Sequence, residues 1–139
     1  MKRKILKSVL ISFMLHLGFV GVHAQAKLDK VVKAIAQVES KNNERVVSSN
    51  KVHVGLLQIS KITVDECNKI IGKKKYSYND RYSREKSIEM FYIIQDKYNS
   101  KYDVEKAIRI WNGGPFCKDK RKTDKYYKRV MKVYNSIKS

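Results

Sequence analysis

Helical periodicity constrains this chain more than any other feature, because apolar residues recur at helical spacing in five separate segments. The predicted helices run from about residue 28 to residue 40, then after the N-cap residues Ser60, Ser83 and Asp103, and finally from Thr123 or Asp124 onwards. Gly72 ends the second helix and the Asn-Gly-Gly-Pro sequence at 112–115 ends the fourth. The stretch 44–58 is the one irregular section, and a short β-hairpin is expected near residues 45–58. The predicted class is mainly α.

The first 26 residues have the pattern of an export signal. A basic start, Met1-Lys2-Arg3-Lys4, precedes an apolar run over residues 8–22, and small residues at positions 22, 24 and 26 fit a cleavage site. The run is shorter than the roughly 20 residues that a membrane-spanning helix needs. A secretory signal peptide over 1–26 is therefore predicted, with 27–139 as a single exported domain in the periplasm or outside the cell. An uncleaved N-terminal anchor is the alternative.

The charge of the chain is strongly positive. Its 31 basic and 13 acidic residues give a net charge of +18. The segment 1–26 holds four of the basic residues and none of the acidic ones, so the exported domain keeps a net charge of +14. An anionic partner is expected, and for an exported protein this means wall polymers or lipid surfaces, with no nucleic acid. Because the cations are scattered along the chain, most of them are predicted to form a solvated face of a monomer.

Cys67 and Cys117 are the two cysteines of the chain. An oxidising compartment would let them pair, and closing a loop of about 50 residues would contribute roughly 4 kcal/mol by the chain-entropy argument. A disulfide is therefore predicted, with two free cysteines as the alternative. The cysteine and histidine spacing does not support a structural zinc site.

Glu39 is the residue that a purely structural account does not explain. It follows Val32 by seven positions and Ile35 by four, so it shares the apolar face of the first helix near the end of that helix. Partial burial there favours the protonated carboxyl, which is the form that can protonate a glycosidic oxygen. The alternative is a helix-end glutamate that turns to solvent or pairs with Lys41 or Arg45.

An ordered set of short motifs follows Glu39. The set comprises Glu39-Ser40, Ser49, Gly55-Leu56-Leu57-Gln58, Thr63, Trp111-Asn112-Gly113-Gly114-Pro115 and Tyr126 or Tyr127. It resembles the lysozyme-like lytic transglycosylases, which have Glu-Ser at a helix end, a loop serine, Gly-Leu-Met-Gln, Tyr-Asn-Ala-Gly and a late tyrosine. The resemblance spans about residues 28–135 and implies a lysozyme-like helical domain. Leu57, Trp111 and, beside the groove, His53 depart from the family pattern.

The resemblance implies roles for these residues. Glu39 would be the only catalytic acid, with Ser40 supporting its geometry, and either Tyr126 or Tyr127 would hydrogen-bond its carboxyl. The predicted substrate-binding residues are Ser40, Ser49, Gln58, Trp111, Asn112, Gly113, Tyr126 and Tyr127. Taken singly, the glycines are also explained as turn residues, and Trp111 and Tyr127 as core aromatics.

The resemblance also implies an activity. The family cleaves the β-1,4 bond between N-acetylmuramic acid and N-acetylglucosamine in peptidoglycan glycan strands, forms a 1,6-anhydro product, and needs no metal or cofactor. The size of the domain resembles that of enzymes that open the wall for secretion or conjugation machinery; wall turnover and phage lysis are alternative roles. Two other functions stay open: a cationic wall-binding module, and a hydrolytic lysozyme whose second carboxylate would be Glu44, Asp65, Glu66 or Asp80.

Overall fold

The computed structural model describes residues 23–138 and confirms the mainly-α prediction. Its elements are α1, of which residues 23–40 are described, α2 over Lys61–Ile71, a short 3-10 helix over Tyr78–Tyr82, α3 over Arg84–Tyr98, α4 over Val104–Gly113 and α5 over Arg121–Ser136. None of the helices in this described part is long and apolar enough to cross a membrane.

Helix α1 begins earlier than the periodicity predicts. Residues 23–26 are already helical, since alanine at two of these positions favours helix and the Gln25 side chain donates to the Asp29 carboxylate at 3.3 Å. The rest of the predicted signal peptide, residues 1–22, lies outside the described residues.

The hydrophobic core forms around α1, which buries residues on a broad part of its surface. Leu28, Val31, Ala34 and Ile35 are fully buried. Around them, α2 packs against α3, and α4 packs against α5. In α3 the core-facing residues include Met90 and Ile94, whereas Ile88 and Tyr92 are half-buried at the edge of the core.

Three helices begin at the residues that the sequence indicates. The side chains of Ser60, Ser83 and Asp103 accept hydrogen bonds from the backbone N–H three residues later, at 3.2, 3.3 and 2.7 Å. Gly72 ends α2 in the left-handed conformation, with φ of 70°. These predictions are confirmed.

The predicted start of α5 at Thr123 or Asp124 is wrong by two or three residues. The helix begins at Arg121, because the Asp119 side chain accepts the Arg121 backbone N–H at 3.1 Å. Neither predicted residue caps it: the Thr123 hydroxyl donates backward to the Lys120 carbonyl, and Asp124 forms an ion pair with Arg109 at 2.8 Å.

The loop over residues 41–60 carries the β structure. The predicted hairpin near 45–58 is reduced to two isolated antiparallel bridges, Val47 with Val54 and Val54 with Ile59. The Gly55 N–H donates to the Val46 carbonyl at 2.7 Å, and the guanidinium of Arg81 donates to the Ile59 carbonyl at 3.3 Å. The first bond closes the loop on itself, and the second holds the loop against the 3-10 helix.

The predicted disulfide between Cys67 and Cys117 is absent, and both thiols are free. Cys67 lies on the core face of α2, where its thiol faces the Met90 carbonyl of α3, and burial raises its pKa to about 12. Cys117 lies in the loop between α4 and α5 and faces the Asp119 carbonyl. Each sulfur therefore has its own partner in a different part of the fold.

Candidate active site

A groove of about 740 Å³ runs between the end of α1, the loop 41–60, α2 and the end of α4. Glu39, Gln58, Trp111, Asn112 and Gly113, all singled out in the sequence, line it. The fold thus brings together motifs that are separated by more than 70 positions in the chain.

Glu39 lies half-buried in this groove and accepts a hydrogen bond from the Tyr126 hydroxyl at 2.6 Å. Burial raises the pKa of Glu39 above its usual value, and the Tyr126 hydrogen bond and the charges of Arg129 and His53 offset only part of that rise. Within residues 23–138, Glu39 forms no ion pair. The alternative, in which it turns to solvent or pairs with a neighbouring cation, is therefore wrong.

Tyr126, not Tyr127, is the tyrosine next to Glu39. Tyr126 is buried on the core face of α5, and burial raises its pKa well above the usual value, so its hydroxyl stays protonated and donates to the carboxylate. Tyr127 lies elsewhere: the Arg109 guanidinium stacks over its ring at 4.5 Å, and the ring packs at the edge of the core. Tyr127 is outside the groove lining, so its predicted role in substrate binding gains no support from the fold.

Ser40 supports the site and does not line it. Its side chain is buried, and its hydroxyl donates to the Leu56 carbonyl at 2.8 Å and lies 3.1 Å from the Ala36 carbonyl. This links the last turn of α1 to the loop that carries Gln58. These contacts fit the predicted role of Ser40 in supporting the geometry of Glu39. Ser40 is outside the groove lining, so its predicted substrate contact gains no support from the fold.

The loop serine of the groove is Ser48, not the predicted Ser49. Ser48 lines the groove, and its hydroxyl donates to the Asn50 side chain at 2.7 Å and accepts from the His53 N–H at 3.0 Å. Ser49 is exposed, lies in a turn and is outside the groove lining. His53, which departs from the family pattern, also lines the groove.

Gln58 and Trp111 are held in place by backbone carbonyl groups of the loop. The Gln58 amide donates to the Val46 and Gly55 carbonyls at 3.1 and 3.0 Å. The Trp111 indole N–H donates to the Leu57 carbonyl at 3.2 Å. The Trp111 ring packs against Phe91, with 5.3 Å between ring centroids, and leaves part of its surface in the groove. These bonds fix both side chains before substrate binds.

Three groove residues, Ile62, Lys69 and Phe116, are not indicated by any sequence motif. Ile62, Glu66 and Lys69 line the groove from one face of α2, and Phe116 lines it from the α4–α5 loop. Ile62 is 79% exposed and Phe116 is 80% exposed, so both apolar side chains are open to solvent. Ile62 could have been singled out in the sequence, because it is an apolar residue on the polar face of α2. Nothing in the sequence around Phe116 distinguishes that residue.

Glu66 is the second carboxylate of the groove. Tyr98 donates to it through its hydroxyl, and Lys69 lies 3.8 Å away. The other three candidate acids lie outside the groove lining. Glu44 pairs with Arg84, Asp80 pairs with Lys86, and Asp65 accepts from a tyrosine hydroxyl.

Replacing Tyr126 by phenylalanine should change both the rate and the pH dependence of any acid catalysis by Glu39. The hydrogen bond from Tyr126 lowers the pKa of Glu39, so its loss should raise that pKa further. Because the protonated carboxyl is the active form, activity falls as pH rises through this pKa, and the alkaline limb of the profile should move to higher pH. We expect a rate loss of about tenfold to 100-fold at the optimum.

The pH–rate profiles of wild type and Tyr126→Phe would measure both changes. Tyr127→Phe is the matched control, and it should leave the pH of the alkaline limb unchanged. An unchanged limb in Tyr126→Phe would show that the hydrogen bond does not tune Glu39.

A comparison with known families agrees with the geometry of the groove. The family described as Transglycosylase SLT domain matches residues 23–133, a span that holds every groove residue discussed above. No curated protein and no solved structure matches the chain. The acid at the end of α1, the groove that surrounds it and the family match lead to one conclusion: the chain belongs to the SLT family of transglycosylase domains.

Proposed function

We propose that this protein is a peptidoglycan lytic transglycosylase that cuts the β-1,4 bond between N-acetylmuramic acid and N-acetylglucosamine and leaves a 1,6-anhydro-muramoyl end. The observation that carries the proposal is Glu39: a half-buried carboxyl with a raised pKa, in a groove, with a tyrosine hydroxyl at 2.6 Å. The family match supports peptidoglycan as the substrate.

Glu39 serves as acid and then as base in the proposed reaction. Its protonated carboxyl gives its proton to the glycosidic oxygen while the bond from that oxygen to muramoyl C1 breaks, through an oxocarbenium-like state. The carboxylate that results, held by the Tyr126 hydroxyl, removes the proton of the muramoyl 6-hydroxyl as O6 bonds to C1. Glu39 is then protonated again, and no water is consumed.

The groove explains how one acid is sufficient. The 6-hydroxyl belongs to the sugar whose bond breaks, so the attacking oxygen is already close and needs only orientation. Trp111 offers an aromatic face to a sugar ring, and the fixed amide of Gln58 offers polar atoms. Exclusion of water from the reacting carbon would favour attack by O6.

Glu66 favours a second candidate function, a hydrolytic lysozyme. Glycosidases that use water or form a covalent intermediate need a second carboxylate beside the scissile bond, and Glu66 lines the same groove as Glu39. Against this role, Glu66 is already engaged by Tyr98 and lies near Lys69. Both contacts hold the Glu66 side chain in place and favour a role in binding.

Mass spectrometry of digested, purified peptidoglycan would distinguish the two functions. We expect anhydro-muramoyl products from wild type and from Glu66→Gln. Reducing-end products that disappear in Glu66→Gln would instead establish the hydrolase. Binding of peptidoglycan without any product would instead favour the cationic wall-binding module. Such a module does not need the half-buried Glu39 carboxyl.

The location and role of the enzyme are further parts of the proposal. The export signal predicted over residues 1–26 supports a periplasmic or extracellular location, where its substrate lies. A part in opening the wall for secretion or conjugation machinery is supported by the small size of the domain. Detection of the protein in the exported fraction, with its N-terminus at about residue 27, would test the location.

A further inference from the structure

One face of α5 consists entirely of cations. Between residues 121 and 132, every exposed residue of the helix is lysine or arginine: Arg121, Lys122, Lys125, Lys128, Arg129 and Lys132. We call these six residues the α5 basic face. Basic residues are scattered along the sequence, but helix α5 brings these six together on one surface.

The cations of the α5 basic face have few acidic neighbours. Arg121 pairs with Asp119 at 3.0 Å. The acid within this part of the helix, Asp124, points away and pairs with Arg109 of α4 at 2.8 Å. Among residues 23–138, no carboxylate lies within ion-pair distance of the other five cations.

This arrangement is unfavourable in the isolated protein. Lysines at positions 125, 128 and 132 are three and four residues apart, so their charges repel one another along the helix. An external anionic surface would remove this repulsion. The α5 basic face is therefore better explained by a bound anion array than by solvent alone.

The shape and composition of the face indicate the kind of anion. Its apolar neighbours, Tyr126 and Val130, are buried in the core. No aromatic ring is left exposed between residues 121 and 132 to stack on nucleic-acid bases, and no apolar side chain to enter a bilayer. The six cations lie along one side of the helix with no exposed ring or apolar side chain among them, which suits a layer of charged headgroups.

We propose that the α5 basic face docks the protein on the headgroups of an anionic phospholipid membrane. Arg129 connects this surface to the groove, because its guanidinium lies over the Tyr126 ring and its charge acts on Glu39. Docking would hold the groove beside the membrane, at the inner boundary of the wall. The inference is independent of whether Glu39 cuts glycan.

Sedimentation with lipid vesicles tests this docking. The full chain would be mixed with vesicles of phosphatidylglycerol and phosphatidylcholine, and with vesicles of phosphatidylcholine alone. The quantity compared is the partition coefficient on anionic vesicles divided by that on neutral vesicles. Any uncharged contribution of the N-terminal apolar segment enters both coefficients and cancels in this ratio. A cation at such a surface strengthens binding about fivefold. The triple variant Lys125→Gln/Lys128→Gln/Lys132→Gln should therefore lower the ratio roughly 100-fold.

A matched control separates location from net charge. Lys73→Gln/Lys74→Gln/Lys101→Gln removes the same charge from exposed positions on other loops and should lower the ratio far less. Equal losses in the two triple variants would overturn the proposal, as would failure of wild type to prefer anionic vesicles. Binding to soluble polyphosphate without binding to vesicles would assign the face to a polymer instead. Peptidoglycan digestion by the same proteins is a separate readout, so failure of the glycan activity would not be mistaken for failure of docking.

Discussion

Replacing Glu39 by glutamine should lower the rate of glycan cleavage at least a thousandfold, which is the largest effect that we expect from any single substitution in the groove. Glutamine keeps the size of the side chain and can still accept the Tyr126 hydrogen bond, but it cannot donate a proton to the glycosidic oxygen. Loss of a general acid typically costs 10²–10⁴ in rate. Because Glu39 acts twice in the proposed reaction, we expect the upper part of that range. Release of soluble muropeptides from purified peptidoglycan would measure it.

Two controls make the Glu39→Gln result specific. Glu44→Gln removes an exposed carboxylate that pairs with Arg84 outside the groove lining, and it should leave the rate nearly unchanged. Binding of Glu39→Gln to insoluble peptidoglycan should equal that of wild type, since the rest of the groove is intact. Residual activity above a tenth of wild type would place the catalytic acid elsewhere.

Replacing Gly55 by alanine should destabilise the domain by about 3 kcal/mol, the largest stability effect that we expect outside the core. Gly55 has a φ of 81°, and a Cβ atom there would lie 1.9 Å from the Arg81 carbonyl oxygen. That oxygen belongs to the backbone, so the loop 41–60 and the 3-10 helix must move apart. We expect a melting temperature roughly 10 °C lower, measured by circular dichroism or calorimetry.

Gly72→Ala is the matched control for Gly55→Ala. Gly72 also has a left-handed backbone, with φ of 70°, but a Cβ atom added there would meet no other atom within 4 Å. Gly72→Ala should therefore lower the free energy of unfolding only by the strain of a left-handed backbone, about 1 kcal/mol. Equal losses in the two variants would show that the close approach of Gly55 to Arg81 does not matter.

Local interactions explain which parts of this protein its sequence determines. Ser60, Ser83 and Asp103 cap their helices through hydrogen bonds that reach only three residues along the chain, so the sequence is sufficient to predict them. Glu39 was identifiable for the same reason, because a spacing of four and seven residues places it on the apolar face of one helix. The mainly-α fold and the family both follow from such local patterns.

Contacts between segments far apart in the sequence determine the features that local patterns do not. Glu39 and Tyr126 are 87 positions apart, and only the packing of α5 against α1 selects Tyr126 over Tyr127. Tertiary packing also gives Cys67 of α2 and Cys117 of the α4–α5 loop separate partners, and both thiols are free. It brings Glu66 of α2 and Phe116 of the same loop into the groove. Periodicity gives the orientation of a side chain around its own helix axis, whereas the groove depends on how separate helices cross, and tertiary structure alone fixes that.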